Sequence, residues 1–154
     1  MEKFKDSYRV YGVKGKKGGA KRMTGYITLA DVTDKYEALE KYKIFFTTTY
    51  SSDAVVPPDY IKGYKMDLCT ETFLVIGPFS TEKEMDNCAT YMDTGFFRFL
   101  LFIGHGTMQV NQTVFSYIPI QDFSKPWTDE ELYEKYNLDK NEIAFIESMI
   151  KPME

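Results

Sequence analysis

The sequence predicts an α+β domain, with a small, mainly antiparallel sheet packed on a long helix and a two-helix tail at the C-terminus. Short runs rich in aromatic and β-branched residues alternate with glycine- and proline-bearing breaks through the first half of the chain. A single apolar stripe with helical period runs from Met85 to Ile103. Two capping-box signatures, Thr128 with Glu131 and Asp139 with Glu142, stand near the C-terminus. At 154 residues, 44% hydrophobic and 16% aromatic, the chain has the size of one domain and buries a core without metals or disulfides.

Residues 7–13 (Ser-Tyr-Arg-Val-Tyr-Gly-Val) read as the first strand. A loop follows, where Gly15, Gly18 and Gly19 stand among Lys14, Lys16, Lys17, Lys21 and Arg22. Residues 26–32 and 43–50 read as strands, with a charged stretch between them suited to a short helix. Residues 51–58 break the pattern, and the next strand covers 72–76, ended by Gly77-Pro78. The long helix begins at Ser80 or Thr81, because Thr81 and Glu84 have capping-box spacing. Its stripe of Met85, Cys88, Ala89, Met92, Phe96, Phe99, Leu100 and Ile103 reads as core, with Gly95 as a kink. After a loop at Gly104-His105-Gly106, residues 114–120 read as a strand that Pro119 places at an edge or an end. In the second tail helix Leu138, Ile143, Ile146 and Ile150 form one apolar face. Residues 1–127 are thus expected to form the domain, with 128–154 as a helical tail packed on it.

The formal net charge of −4 conceals an uneven distribution. Residues 1–25 hold eight Lys or Arg against Glu2 and Asp6, a balance of +6 that leaves −10 for the rest. A solvated arm is the plain explanation of such a run, and phosphate binding the functional one. The tail carries eight Asp or Glu against three Lys, which argues against a DNA-reading helix-turn-helix there. Cys69 and Cys88 are too few for a disulfide framework and too far apart for a zinc knuckle, which fits a reduced, cytoplasmic setting. No stretch reads as a signal peptide or a membrane span.

Catalytic patterns are missing. An adenine methyltransferase needs a glycine-rich loop for its methyl donor and an Asn/Asp-Pro-Pro-Tyr/Phe motif for the flipped base. Val56-Pro57-Pro58-Asp59-Tyr60 lacks the polar residue before the prolines and has Asp in the aromatic position, so it reads as a rigid loop. No acid-x-Lys pair of the common nucleases occurs, and no P-loop ending. His105, the one histidine, lies between two glycines and reads as a turn residue. Neither catalytic nor metal-ligating residues are assigned.

Three stretches carry a family resemblance: residues 69–79 (Cys-Thr-Glu-Thr-Phe-Leu-Val-Ile-Gly-Pro-Phe), residues 91–100 (Tyr-Met-Asp-Thr-Gly-Phe-Phe-Arg-Phe-Leu), and the tail from Trp127 to Pro152. Together they resemble the C-terminal target-recognition region of bacterial type II restriction-modification enzymes, in which an adenine-specific methyltransferase, often fused to a nuclease, precedes the matched part. The resemblance covers roughly residues 43–153. It implies an excised domain or a small stand-alone relative that reads double-stranded DNA for a methyltransferase or nuclease domain, in cis or in trans. S-adenosylmethionine and a divalent metal would belong to those catalytic domains, and no cofactor is expected in this chain.

On this reading Lys14, Lys16, Lys17, Lys21 and Arg22 contact phosphates, with Lys62, Lys65 and Arg98 as further candidates. Arg98 also suits a structural role beside an internal carboxylate, since buried arginines are usually paired. Between the long helix and the next strand, where the family carries basic residues, this chain has amides. Gln109, Asn111 and Gln112 are therefore the base-reading candidates, because amides pair bidentately with adenine; a polar surface loop is the plainer reading. The rival reading is a protein-interaction module that docks on a catalytic subunit through its acidic body and apolar-faced tail.

Overall fold

The computed structural model describes residues 3–14, 21–32, 37–48, 59–104 and 110–150. It is an α+β fold, as the sequence predicts, but strands and helices separate into two compact units. One comprises Met1–Phe46 and Tyr60–Glu82, the other Thr47–Asp59 and Lys83–Glu154. The tail groups with residues 83–127 in the second unit.

The first unit has two three-stranded sheets where the sequence suggested one. In the first sheet β1 (Ser7–Lys14) lies between β2 (Lys21–Thr28) and β5 (Leu68–Cys69). β1 and β2 are antiparallel and paired in full, from Ser7 opposite Thr28 to Lys14 opposite Lys21. β5 joins β1 in parallel at Val10 and Tyr11. In the second sheet β3 (Tyr42–Thr47) lies between β4 (Tyr60–Gly63) and β6 (Phe73–Phe79). β2 thus starts earlier than residue 26, and residues 29–31 form a 3-10 turn instead of its end. A second 3-10 turn, Glu37–Glu40, supplies the short helix expected from the charged stretch. β6 runs through Gly77-Pro78, a cis peptide, instead of stopping there. The core is built on Ile44, Phe45, Phe46 and Phe73, all buried. Gly63 is required beside Phe45, since a Cβ there would lie 2.6 Å from the ring.

The second unit is helical. The expected long helix is two, α1 (Glu82–Asp93) and α2 (Gly95–Gly104), broken at Thr94. The break is built by capping. Thr94 Oγ1 accepts from the amide of Phe97, and the Asp129 carboxylate accepts from the amides of Gly95 and Phe96, both at 2.8 Å. Those amides have no partner within a helix, so the carboxylate lets a new one begin there. Gly95 also leaves room for a neighbour, because a Cβ would meet Ile150 at 2.7 Å.

Residues 114–120 are not a strand. Asn111 caps a short helix, α3 (Gln112–Phe115), accepting from the amides of Thr113 and Val114, and turns follow. β-branched composition there yielded to a local cap. The tail helices α4 (Asp129–Lys135) and α5 (Lys140–Met149) both start with complete capping boxes. α2 packs against α3, α4 and α5, with Phe96 stacked on Tyr136 at 4.9 Å.

Candidate nucleic-acid interface

The cations predicted in a loop after the first strand are placed by strand pairing. Lys21 and Arg22 belong to β2, where they stand opposite Lys14 and Val13. Lys14, Lys21 and Arg22 are all exposed, as are Val13, Met23 and Thr24 around them. Residues between the two strands, Lys16 and Lys17 among them, lie outside the described residues, as do His105, Gln109 and residues 51–58. The register alone gathers three cations at one end of one ribbon.

The remaining candidates lie elsewhere. Lys62 is half-buried in β4, opposite Ile44, and Lys65 is exposed with its ammonium 5.6 Å from the centre of the Tyr42 ring. Arg98 is in the second unit and is buried within α2, only 2% exposed. A phosphate contact needs an accessible guanidinium, which the buried Arg98 does not offer. Asn111 and Gln112 are exposed at the start of α3. The side-chain oxygen of Asn111 is engaged as a cap, whereas bidentate adenine reading needs both the oxygen and the nitrogen of the amide.

Behind the ribbon lies a charge arrangement that the sequence did not announce. Arg9 makes a bidentate ion pair with Asp67 at 2.8 and 2.7 Å, and Asp67 also accepts from the amide of Tyr64. The hydrogen bond to Asp67 raises the Arg9 pKa, and the bidentate pair fixes β1 to the turn before β5. Lys43 is buried, and its ammonium donates to the carbonyls of Ala38, Leu39 and Lys41. Burial pulls its pKa down. A cavity of about 560 Å3 in this unit is lined by Val10, Ile27, Lys43, Phe45, Asp67 and Cys69 among others. With its protons engaged by three carbonyls, Lys43 is a structural wall of this cavity and not a nucleophile. Burial pushes the Cys69 thiol up from 9.0 to about 11, against the pull of the Lys43 charge. Only a contact map would have linked Arg9 to Asp67, because the two lie far apart in sequence.

Comparison with protein families, with curated proteins and with solved structures finds no match to this chain. Among the described residues no group of three or more His, Cys, Asp or Glu is placed to hold a metal ion. No helix of the described residues is long and apolar enough to cross a membrane.

Proposed function

We propose that this chain recognises double-stranded DNA as the target-recognition part of a cytoplasmic restriction-modification system, for an adenine methyltransferase and endonuclease acting in cis or in trans. The observation that carries the reading is the exposed cluster of Lys14, Lys21 and Arg22 at the end of the β1–β2 ribbon, on a chain whose remaining residues are strongly acidic. An acidic body is repelled by phosphate, so a basic end that stands out from it orients the approach. The resemblance of residues 69–79, 91–100 and the tail to target-recognition regions supplies the enzyme context, including S-adenosylmethionine and a divalent metal in the catalytic domains.

The test is selection of a randomised duplex pool by the full chain at two salt concentrations, with sequencing of the retained fraction. An enriched motif and salt-dependent affinity are expected. Replacing Lys14, Lys21 and Arg22 together by Gln should lower the salt slope by about three, roughly one for each lost contact. Absence of retention at low salt would sink the reading.

A second reading, docking on a catalytic subunit without autonomous DNA binding, draws on the helical unit. Ile103, Tyr117, Ile120 and Phe145 are exposed there, at 57%, 66%, 88% and 58%. On that reading a protein partner covers these side chains. It predicts that the chain ignores duplex DNA yet co-purifies with the methyltransferase.

A further inference from the structure

The cavity of the first unit is lined from both of its sheets, and strand alternation shows which faces contribute. Residues paired across strands share a face, as do residues two apart in one strand. Val10 is paired with Leu68, and Ile27 stands opposite Tyr8, two residues from Val10. One face of the first sheet therefore supplies Val10, Ile27 and Leu68 to the wall, and Gly25, opposite Val10 on that face, brings no side chain to it. Lys43 with Phe45, and Phe73 with Val75, alternate in the same way in the second sheet. At about 560 Å3 the space far exceeds the voids of packed interiors, which are seldom larger than a water, and falls within the roughly 300–1,000 Å3 of small-molecule pockets.

The buried charges on this wall are already satisfied. The Lys43 ammonium gives its protons to the Ala38, Leu39 and Lys41 carbonyls and has none left for a ligand. Asp67 is neutralised by its bidentate partner Arg9 and also accepts from the Tyr64 amide. A charge brought inside would lose its water and gain no partner, so the part of a ligand held there is uncharged and apolar. Three lining residues are exposed, Asp31, Thr70 and Glu71, and they mark the open side. The Thr70 hydroxyl shares a hydrogen bond with Thr72, and Asp31 accepts from Thr28. Among the described residues no cation pairs with Asp31 or Glu71. Negative potential at the opening repels fatty acids and phosphates and attracts an amine.

We infer that this cavity binds a small molecule with an apolar, ring-sized body and one cationic amine, the body held among Val10, Phe45, Phe73 and Val75 and the ammonium at Asp31 and Glu71. The cavity is the site, and the two carboxylates select the charge of what enters it. None of the cations assigned to duplex DNA lines it, so the two readings stand or fall separately. The full chain is titrated calorimetrically at low salt with three probes of one body: naphthylethylamine, naphthylethanol and naphthylacetate. The amine should bind most tightly and the acetate least. Glu71→Gln and Asp31→Asn, both at exposed positions, should each weaken the amine about fivefold, the worth of one charge pair about 4 Å apart in water, and leave the alcohol unchanged. Val75→Trp narrows the cavity from β6 and should weaken all three probes while keeping the parent's circular dichroism spectrum. Bound amine should slow iodoacetamide labelling of Cys69, on the cavity wall, and leave that of Cys88, in the other unit, unchanged. If Val75→Trp does not fold, the labelling and the two exposed variants decide. No binding of any probe, or binding that leaves Cys69 labelling unchanged, would overturn the site. Acetate held as tightly as the amine would overturn the charge assigned to its ligand.

Discussion

Lys43 sits beside Ile44, Phe45 and Phe46 in the core of the first unit, and its charge survives there because of where its side chain ends. The ammonium lies at the close of the Glu37–Glu40 turn and donates to three carbonyls, two within the turn and one just past it; the Ala38 oxygen also accepts from the Lys41 amide and the Leu39 oxygen from the Met66 amide. Lys43→Met keeps most of the volume but removes the ammonium from those carbonyls, leaving the Ala38 and Leu39 oxygens with their backbone donors alone. It should lower stability by about 1–3 kcal/mol, read as a shift of the urea midpoint with unchanged slope. An unmoved midpoint would mean that water replaces the ammonium. The cysteines give a pH-dependent counterpart. Burial raises Cys69 from 9.0 to about 11 and Cys88 from 9.0 to about 12, and raises the Tyr91 and Tyr133 phenols as well. Each of these groups ionises more readily in the unfolded chain. Their contribution to stability is complete below the unfolded values and is lost as pH rises through the folded ones. Lys43 has the opposite sign, because its lowered value makes its contribution grow as pH rises towards 10.5. The raised groups outnumber it, so the urea midpoint should fall above pH 9. In parallel, iodoacetamide should label the native thiols at neutral pH far more slowly than the unfolded ones. Rapid native labelling of Cys88 would contradict its burial.

At the scale of elements, the start of α2 depends on a residue far along the chain. Asp129 occupies the first turn of α4, yet its carboxylate holds the amides of Gly95 and Phe96. Asp129→Ala should cost about 1–3 kcal/mol in a denaturation curve, more than an exposed cap, because two partly buried amides lose their acceptor together. The ribbon presents the reverse case. Lys14 and Lys21 stand directly opposite each other, and like charges so placed weaken a strand pair. Lys21→Glu should therefore raise stability by about 0.2–1 kcal/mol while weakening retention of duplex DNA. A variant that gained stability and lost no DNA affinity would count against the proposed contacts. Elements governed by neighbours in sequence were the legible ones. The capping boxes at Thr128 and Asp139 and the strand from Ser7 follow from local pattern alone. The split of the long helix was half visible, through Gly95, but its cause is the distant Asp129. Residues 114–120 misled because their composition suits a strand, while the deciding residue, Asn111, stands just before them. In the candidate site the positive charge of Lys14, Lys21 and Arg22 was legible, and their register across the ribbon was not. The burial of Arg98 was legible only as one of two alternatives.

On the scale of the whole molecule, the sequence gives no sign that the division into two units is discontinuous. Composition changes little at 46, 59 or 82, yet the chain passes from one unit to the other at each of these points. Residues 83–154 thus form only part of the helical unit, which also includes Thr47–Asp59. The amide of Val110 donates to the carbonyl of Thr48 at 2.8 Å, a bond that a fragment starting at residue 83 cannot make. Such a fragment should keep helical circular dichroism yet unfold at a lower urea concentration than the same helices in the full chain. An equal midpoint would show that residues 47–59 add nothing to it. This discontinuity also bears on how the protein is made. Synthesis runs from the N-terminus, so Thr48 emerges from the ribosome long before Val110, its backbone partner, while the sheets complete themselves once residue 82 has been added. A nascent chain stalled between those points would carry finished strands while the Thr48 carbonyl still lacked the Val110 amide.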